Sequence, residues 1–197
     1  ELIAVYEQYT EAPDPRLLKL LLLHNEEDVL GMPALLPMLY YTDILEDPGR
    51  PEEVYRNKNG SRLIISYRSP ASFKKTLELT DPSGIRTLFQ DHTLTLSVPC
   101  VYGELRFFFP NFRDYYYLPV EDRAIHKKLG RFVDKEYRVQ AGPDTCFTKR
   151  SGFFVPALSG SGLPCYREAY DAKTQYHFLE EGESFPETYG KAFLSSL

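Results

Sequence analysis

His24 and Asp28 are the two residues whose types and spacing most directly suggest chemistry. They stand four residues apart in the segment LLLHNEEDVLGMPALL, so in a helix they lie on one face, about one turn apart. A carboxylate is a hard oxygen ligand that suits Mg²⁺ or Mn²⁺, and a neighbouring imidazole could take a proton from an attacking water. The same spacing also fits a solvated carboxylate beside a histidine that only satisfies a helix end.

The pattern around this pair predicts helix. Asp14 followed by Pro15 predicts a helix start, because the Asp side chain can cap the first turn and Pro needs no amide hydrogen there. The apolar run LLKLLLLH predicts a helix that is buried on all sides. Gly31 and Pro33 predict a break or kink in it, and a second helical stretch follows with a bend at Pro37. The charged segment EDPGRPEE then predicts a linker.

After the linker, short segments rich in β-branched and aromatic residues predict strands. RLIISYR, KKTLELT, IRTLFQ, TLTLSVP and ELRFFFP are separated by NKNG, DPSG and VYG turns, which indicates antiparallel hairpins. SGFFVPAL and QYHFL predict later strands, and residues 185–197 predict a closing helix. A further helix is predicted over about 120–138, since apolar residues recur there at helical spacing: Ile125, Leu129, Phe132, Val133 and Tyr137.

These elements predict an α+β fold in two parts. Residues 1–47 form a helical piece, and residues 48–197 form a mainly antiparallel β domain with packed helices. Charge divides in a similar way. Residues 1–50 hold 10 acidic and 3 basic side chains, whereas residues 51–197 hold 18 acidic and 20 basic ones. Within 54–77 there are six basic side chains and no carboxylate, which fits either a polyanionic partner or a solvated strand face.

Cysteine usage and hydropathy predict a cytoplasmic protein that does not cross a membrane. The three cysteines are widely spaced and match neither a zinc motif nor a disulfide framework, which favours a reducing compartment. No apolar run approaches the roughly 20 residues that a membrane helix needs, and no leader sequence is visible. Cys146 is expected to be a buried, inert thiol, and the SGSG segment at 159–162 is expected to be a flexible loop.

The helix that carries the His–Asp pair resembles the last motif of DEDD-type 3′–5′ exonucleases of the ribonuclease H-like superfamily, and it looks most like the YprB-type proteins. Asp28 matches the final metal-binding aspartate, and His24 matches the histidine or tyrosine position. Three residues separate the two, which is the spacing of the tyrosine subclass, whereas the histidine subclass usually has four. The resemblance implies a two-metal Mg²⁺ or Mn²⁺ site with Asp28 as a ligand and His24 as the catalytic base.

The same resemblance implies that most of the site lies upstream. The superfamily uses three more carboxylates, from an Asp-x-Glu strand and a middle Asp. Only 23 residues precede His24, and they hold no strand with such a pair. The chain is therefore expected to be the C-terminal part of a longer protein, with the upstream nuclease half as its partner. Residues 114–156 look like a block that follows the nuclease domain in related clostridial-type proteins, for which no activity is established.

Basic and aromatic residues that alternate in the second part predict a surface for single-stranded nucleic acid, with charge on the phosphates and rings under the bases. A solvated face and tyrosines that only pack a strand explain the same pattern. Asp122 and His126 repeat the one-turn spacing of an acid and an imidazole, but no nucleophile or complete ligand set accompanies them. The predicted nucleic-acid-binding residues are Lys127, Lys128, Arg131, Lys135, Arg138, Lys149, Arg150 and Tyr116.

The sequence thus predicts the C-terminal portion of a metal-dependent 3′–5′ exonuclease, which carries the last ligand motif and an accessory domain that binds nucleic acid. The alternative is a non-catalytic binding or scaffolding module that lacks a functional nuclease site.

Overall fold

Helices and antiparallel strands follow one another along the chain and make it an α+β protein, as predicted. The structure, a computed structural model, describes residues 2–180, 182 and 184–197. The helices within these residues are α1 (Leu2–Glu11), α2 (Pro15–Leu35), α3 (Leu39–Glu46), α4 (Lys127–Gly130) and α5 (Ser184–Leu194). Short 3-10 turns lie at Leu36–Met38, Phe112–Asp114 and Lys135–Tyr137.

The strands pair into three antiparallel sheets within the described part of the chain. The sheet orders are β1-β2-β3, β4-β8-β10-β9 and β6-β5-β7. The strand bounds are β1 (Glu53–Arg56), β2 (Arg62–Thr80), β3 (Arg86–Pro99), β4 (Val101–Phe108), β5 (Tyr115–Leu118), β6 (Arg123–His126), β7 (Val139–Gln140), β8 (Phe147–Pro156), β9 (Cys165–Tyr166) and β10 (Tyr176–Phe178).

The helix α2 begins where the sequence predicts and ends later. Asp14 caps it, because its carboxylate accepts the amide hydrogen of Arg16 at 2.8 Å. Of the predicted break or kink at Gly31 and Pro33, the break is wrong, since α2 continues to Leu35. A proline this close to a helix end removes one hydrogen bond without ending the helix. The change to 3-10 geometry comes only at the next proline.

The prediction that α2 is buried on all sides is also wrong for the chain as described. None of its 21 residues is buried. α1 packs against it, but a wide apolar surface stays exposed. The exposed apolar side chains of α2 are Leu18, Leu20, Leu22, Leu23, Val29, Leu30, Met32 and Leu35. Contiguous exposed apolar surface of this kind marks an interaction site on a folded protein.

β2 and β3 form one long hairpin in place of four short strands. The predicted DPSG turn is confirmed, with the Asp81 carboxylate accepting the Ile85 amide hydrogen at 2.8 Å. The pairing register shifts between Arg68 and Phe73 and again between Phe73 and Leu77. Irregularities of this kind bend a strand without ending it, so two predicted strands on each side merge into one.

The helices α3 and α5 cover one face of this hairpin and form the main core with it. Tyr189 and Phe193 of α5 are buried there together with Ile44 of α3, and the Tyr41 ring packs on Phe73 at 4.8 Å. The predicted closing helix is therefore confirmed. The hairpin contributes Leu63, Ile65, Tyr67, Leu94, Leu96 and Val98 to this core, and each fully buried apolar side chain stabilises the fold by about 1.5–3 kcal/mol.

The helix predicted over 120–138 is wrong. Residues 123–126 form β6, which pairs with β5 across a four-residue turn, and only α4 and one 3-10 turn are helical in this segment. Pro119 and Asp122 lie in that turn, and Asp122 adopts φ +46°, a conformation that Asp tolerates better than most residues. Residues 123–126 thus pair with the tyrosine-rich strand β5, and this strand pairing outweighs the helical spacing of their apolar residues.

None of the described helices is both long enough and apolar enough to span a membrane.

Candidate functional site

His24 and Asp28 lie on one face of α2, as their spacing predicts. The His24 Nδ1 atom is 3.0 Å from the Asp28 Oδ2 atom, and both side chains are largely open to solvent. The contact orients the imidazole and engages one of the two carboxylate oxygens. An exposed pair of this type contributes little to stability, so its geometry matters more for chemistry than for folding.

The His–Asp pair is bracketed by apolar side chains on the same face. Leu20 precedes His24 by four residues and Met32 follows Asp28 by four, which places all four residues in one row along the helix. Leu20 and Met32 are both exposed. Along the row, the imidazole and the carboxylate thus lie between two apolar side chains. A domain packed on the row would bury these two polar groups between hydrophobic contacts.

The donor set of this pair fits part of a divalent-metal site. Carboxylate oxygens suit Mg²⁺ and Mn²⁺. Among residues 2–180, 182 and 184–197, no group of three or more His, Cys, Asp or Glu side chains is placed to hold a metal ion.

Two of the predicted nucleic-acid-binding residues, Arg138 and Lys127, contact the ring of Tyr116, which is itself one of the predicted residues. Arg138 lies over the Tyr116 ring, with its Cζ atom 4.7 Å from the centroid, and also donates a hydrogen bond to the Gly130 carbonyl. Lys127 approaches the same ring at 5.5 Å. A side chain at Gly130 would meet Tyr116, since a Cβ there would lie 2.7 Å from its Cδ2 atom. The ring is therefore covered by its own neighbours, while Lys128, Arg131 and Lys135 lie exposed in the segment between β6 and β7.

Lys149 and Arg150, the other two predicted residues, lie apart on β8 and carry paired charges. The Lys149 Nζ atom is 2.5 Å from Asp122 Oδ2 and 3.5 Å from Glu104 Oε1. Arg150 pairs with Glu180 at 3.0 Å. A phosphate at either residue would have to compete with a carboxylate that is already in place.

We compared the chain with protein-family models, with curated proteins and with solved structures. No significant match was found. The exonuclease resemblance of α2 thus stays a prediction, and the geometry of the described residues carries the functional argument.

Asp122 connects the β6-β5-β7 sheet to the β4-β8-β10-β9 sheet. The predicted helical pairing of Asp122 with His126 did not suggest this role. Its carboxylate accepts the Tyr117 hydroxyl hydrogen at 2.6 Å and pairs with Lys149 on β8. The hydrogen bonds from Lys149 and then from Tyr117 lower the pKa of Asp122, and the Asp122 contact raises the pKa of Lys149. His126 instead accepts the Lys128 amide hydrogen at 3.2 Å and caps α4.

Replacing Asp122 by asparagine should cause a small loss of stability that depends on pH. Because the folded-state pKa lies below the ordinary carboxyl value of 3.8, the ionised carboxylate stabilises the fold above that pH, and this stabilisation is lost as the pH falls through the lowered pKa. Asparagine tolerates the positive φ equally well, so the change isolates the charge. We expect a melting temperature about 1–3 °C lower at pH 7 and a difference that shrinks as the pH falls below 3.8.

Thermal unfolding at several pH values measures this effect. Glu121→Gln is the matched control, because it removes a neighbouring carboxylate that is exposed and should leave the melting temperature unchanged at each pH value. A difference that does not shrink as the pH is lowered below 3.8 would contradict the electrostatic explanation.

His177 forms a buried polar cluster that the sequence analysis did not identify. Its Nε2 atom accepts the Leu158 amide hydrogen at 2.9 Å and lies 3.0 Å from the Ser161 hydroxyl, while Nδ1 faces the Pro164 carbonyl at 3.0 Å. This network fixes a tautomer with the proton on Nδ1. The His177 ring thus contacts the SGSG loop through Ser161 and the residue before the loop through the Leu158 amide. Cys146 is buried, as predicted.

Phe132 is the other residue that the sequence analysis did not assign correctly. It was expected on the packed face of a helix, yet it is the only exposed phenylalanine among the described residues, at 76% exposure. The Arg131 guanidinium lies 4.7 Å from its ring centroid. The pattern that could have revealed it is local: in RFVDKEYR, Arg131 precedes the aromatic and Asp134, Lys135 and Glu136 follow it closely, which disfavours burial.

Proposed function

We propose that this chain is the C-terminal portion of a metal-dependent 3′–5′ exonuclease that hydrolyses nucleic acid. In this proposal α2 packs against the upstream nuclease half of the same protein and supplies Asp28 as the last ligand of a Mg²⁺ or Mn²⁺ site. The β-rich part, residues 48–197, serves as an accessory domain for the substrate strand, and the protein acts in the cytoplasm.

The row of exposed residues on α2 is the observation that carries the proposal. Leu20 and Met32 supply apolar contact before and after the His–Asp pair. A surface helix that needed no partner would carry polar residues at such positions. Apolar contacts at both ends of the row would seat the helix on another domain, and the polar pair would then lie inside the interface, where a carboxylate is costly unless a cation pairs with it.

The roles of the two residues follow from their chemistry. Asp28 would hold a metal ion through its carboxylate, together with carboxylates of the upstream half. Bound ions of this kind stabilise the attacking and leaving oxygens during phosphodiester hydrolysis. His24, oriented by its contact with Asp28, would take the proton from the attacking water, for which an imidazole has a suitable basicity at neutral pH.

The chain by itself should be inactive, and a longer product of the same gene should be active. We expect that the 197-residue chain does not shorten a 5′-labelled single-stranded oligonucleotide with Mn²⁺, because the remaining carboxylates are supplied by the upstream half. The longer product should remove nucleotides from the 3′ end and should contain an Asp-x-Glu strand and a middle Asp. Strong degradation by the 197-residue chain, abolished by Asp28→Ala, would overturn the division of the site.

The alternative is a non-catalytic nucleic-acid-binding module, and it has an observation of its own. The exposed basic residues Lys128, Arg131 and Lys135 lie in the segment between β6 and β7, far along the chain from α2. A longer gene product that binds single strands but never shortens them would favour this alternative.

A further inference from the structure

A ridge of exposed residues extends from α4 to the 3-10 turn Lys135–Tyr137. We define it by its apolar members Leu129, Phe132 and Tyr137 and its basic members Lys128, Arg131 and Lys135. All six are exposed. A backbone hydrogen bond forms a tight turn within the ridge, because the Phe132 amide donates to the Leu129 carbonyl at 3.1 Å. Leu129 and Phe132 are thus joined by the backbone of a tight turn.

The covering of Tyr116 explains why the ridge projects outward. Arg138 lies on that ring, and Gly130 is buried against it. Because Arg138 and Gly130 occupy the space next to Tyr116 on the inner side of the turn, Leu129 and Phe132 do not pack into a core among the described residues. Phe132 therefore presents its ring to solvent, with the Arg131 guanidinium as its close neighbour.

The charge of the ridge complements a polyanion. Residues 123–140 hold six Lys and Arg and two Asp and Glu, a local charge of +4 within a chain of −5. None of Lys128, Arg131 and Lys135 forms an ion pair with another described residue. Three cations within four residues of one exposed aromatic residue along the chain match a chain of phosphates that also offers flat, polarisable groups.

We propose that Phe132 and Arg131 stack against a base of single-stranded nucleic acid, while Lys128 and Lys135 contact its phosphates. Only a single strand exposes base faces, so duplex should bind through charge alone. The partner follows from the function proposed above, but the stacking site needs no nuclease activity. A lipid surface also attracts basic and apolar groups, yet a guanidinium lying on the ring matches the face of a base better than a hydrocarbon interior, which disfavours the charge.

The chain contains no tryptophan, and this permits a direct test of stacking. Phe132→Trp introduces a single fluorophore at the ridge. Titration with oligo(dT) at low salt should quench its fluorescence to a saturating value, and added salt should reverse the quenching. Phe132→Ala should weaken binding of oligo(dT) by about tenfold and leave binding of a duplex within twofold.

Tyr102 provides the matched control, since it is an exposed aromatic on β4, outside the ridge. Tyr102→Trp should stay unquenched in the same titration, and Tyr102→Ala should bind oligo(dT) as the unchanged chain does. Equal melting temperatures of the variants show that folding is preserved, as expected for substitutions at exposed positions.

Three outcomes would overturn the stacking site. One is that the chain does not bind oligo(dT). Another is binding that Phe132→Ala leaves intact, with no quenching of the tryptophan at 132. The third is a blue shift with phosphatidylserine vesicles and no response to oligo(dT), which assigns the ridge to a lipid surface. Because every measurement uses the 197-residue chain, an inactive longer product would refute the exonuclease proposal alone and leave this one standing.

Discussion

If the proposed exonuclease function holds, replacing Asp28 by asparagine should lower the activity of the proposed longer protein by about a thousandfold or more. Asparagine keeps the size of the side chain but replaces a charged metal ligand by a neutral amide. Loss of one carboxylate from a site that stabilises developing charge costs several kcal/mol in the transition state, and each 1.36 kcal/mol is a factor of ten in rate. Release of nucleotides from a 5′-labelled single strand with Mn²⁺ measures the effect.

The same substitution should have almost no effect on folding. Asp28 is open to solvent and contacts only His24 among its described ion-pair partners, so the melting temperature of the 197-residue chain should change by less than about 2 °C. Glu27→Gln is the matched control, because it removes a neighbouring exposed carboxylate of the same helix and should leave activity within about twofold. Activity that survives Asp28→Asn would exclude this residue as a metal ligand.

Replacing Gly190 by alanine should strongly destabilise the fold. Gly190 lies in the buried part of α5, and a Cβ atom there would overlap the hydroxyl oxygen of Tyr67, whose side chain is fully buried in β2. Overpacking a tight core costs about 1–3 kcal/mol or more, which outweighs the roughly 1 kcal/mol that alanine gains over glycine in a helix. We expect a melting temperature lower by about 3–8 °C in thermal unfolding.

Gly31→Ala is the matched control, since nothing lies within 4 Å of a Cβ atom at this helical position. It should raise stability by up to about 1 kcal/mol. The two substitutions are chemically identical, and both lie in helices, so opposite signs would assign the loss at Gly190 to the contact with Tyr67. Equal effects would contradict that assignment.

Tyr67→Phe should relieve much of the loss caused by Gly190→Ala. The Tyr67 hydroxyl is buried without a hydrogen-bond partner among the described residues, and this burial, followed by the charge of Glu187, raises its pKa. Removing an unpaired buried hydroxyl is neutral or stabilising. A double-mutant cycle should give a coupling of about 1 kcal/mol or more, and simple additivity would show that the two residues do not clash.

The sequence predicts those parts of the fold that neighbouring residues decide. Asp14 caps a helix and Asp81 closes a turn through contacts within five residues. The local sequence alone is therefore sufficient to predict both features. The α+β class and the closing helix also follow from periodicity, which the buried Tyr189 and Phe193 confirm. The ribonuclease H-like origin of residues 1–47 stays a prediction.

The errors arise where distant partners decide the outcome. The segment 123–126 has helical spacing, but β5 offers it a pairing edge, and the competition depends on strand geometry that spacing does not encode. The charges of Lys149 and Arg150 look free in the sequence, because Asp122 and Glu180 approach them only after the chain has folded. Phe132 likewise looks like a core residue until Arg138 and Gly130 fill the space around Tyr116.

Because α5 is synthesised later, the β2–β3 hairpin emerges from the ribosome before the helix that packs on it. Residues 100–183 separate the hairpin β2–β3 from α5, so both strands leave the ribosome well before the helix that covers their apolar face. At a synthesis rate of about 5–20 residues per second, the uncovered hairpin persists for several seconds. During this interval its apolar face is available to chaperones and to other nascent chains, and the main core can close only after α5 has emerged.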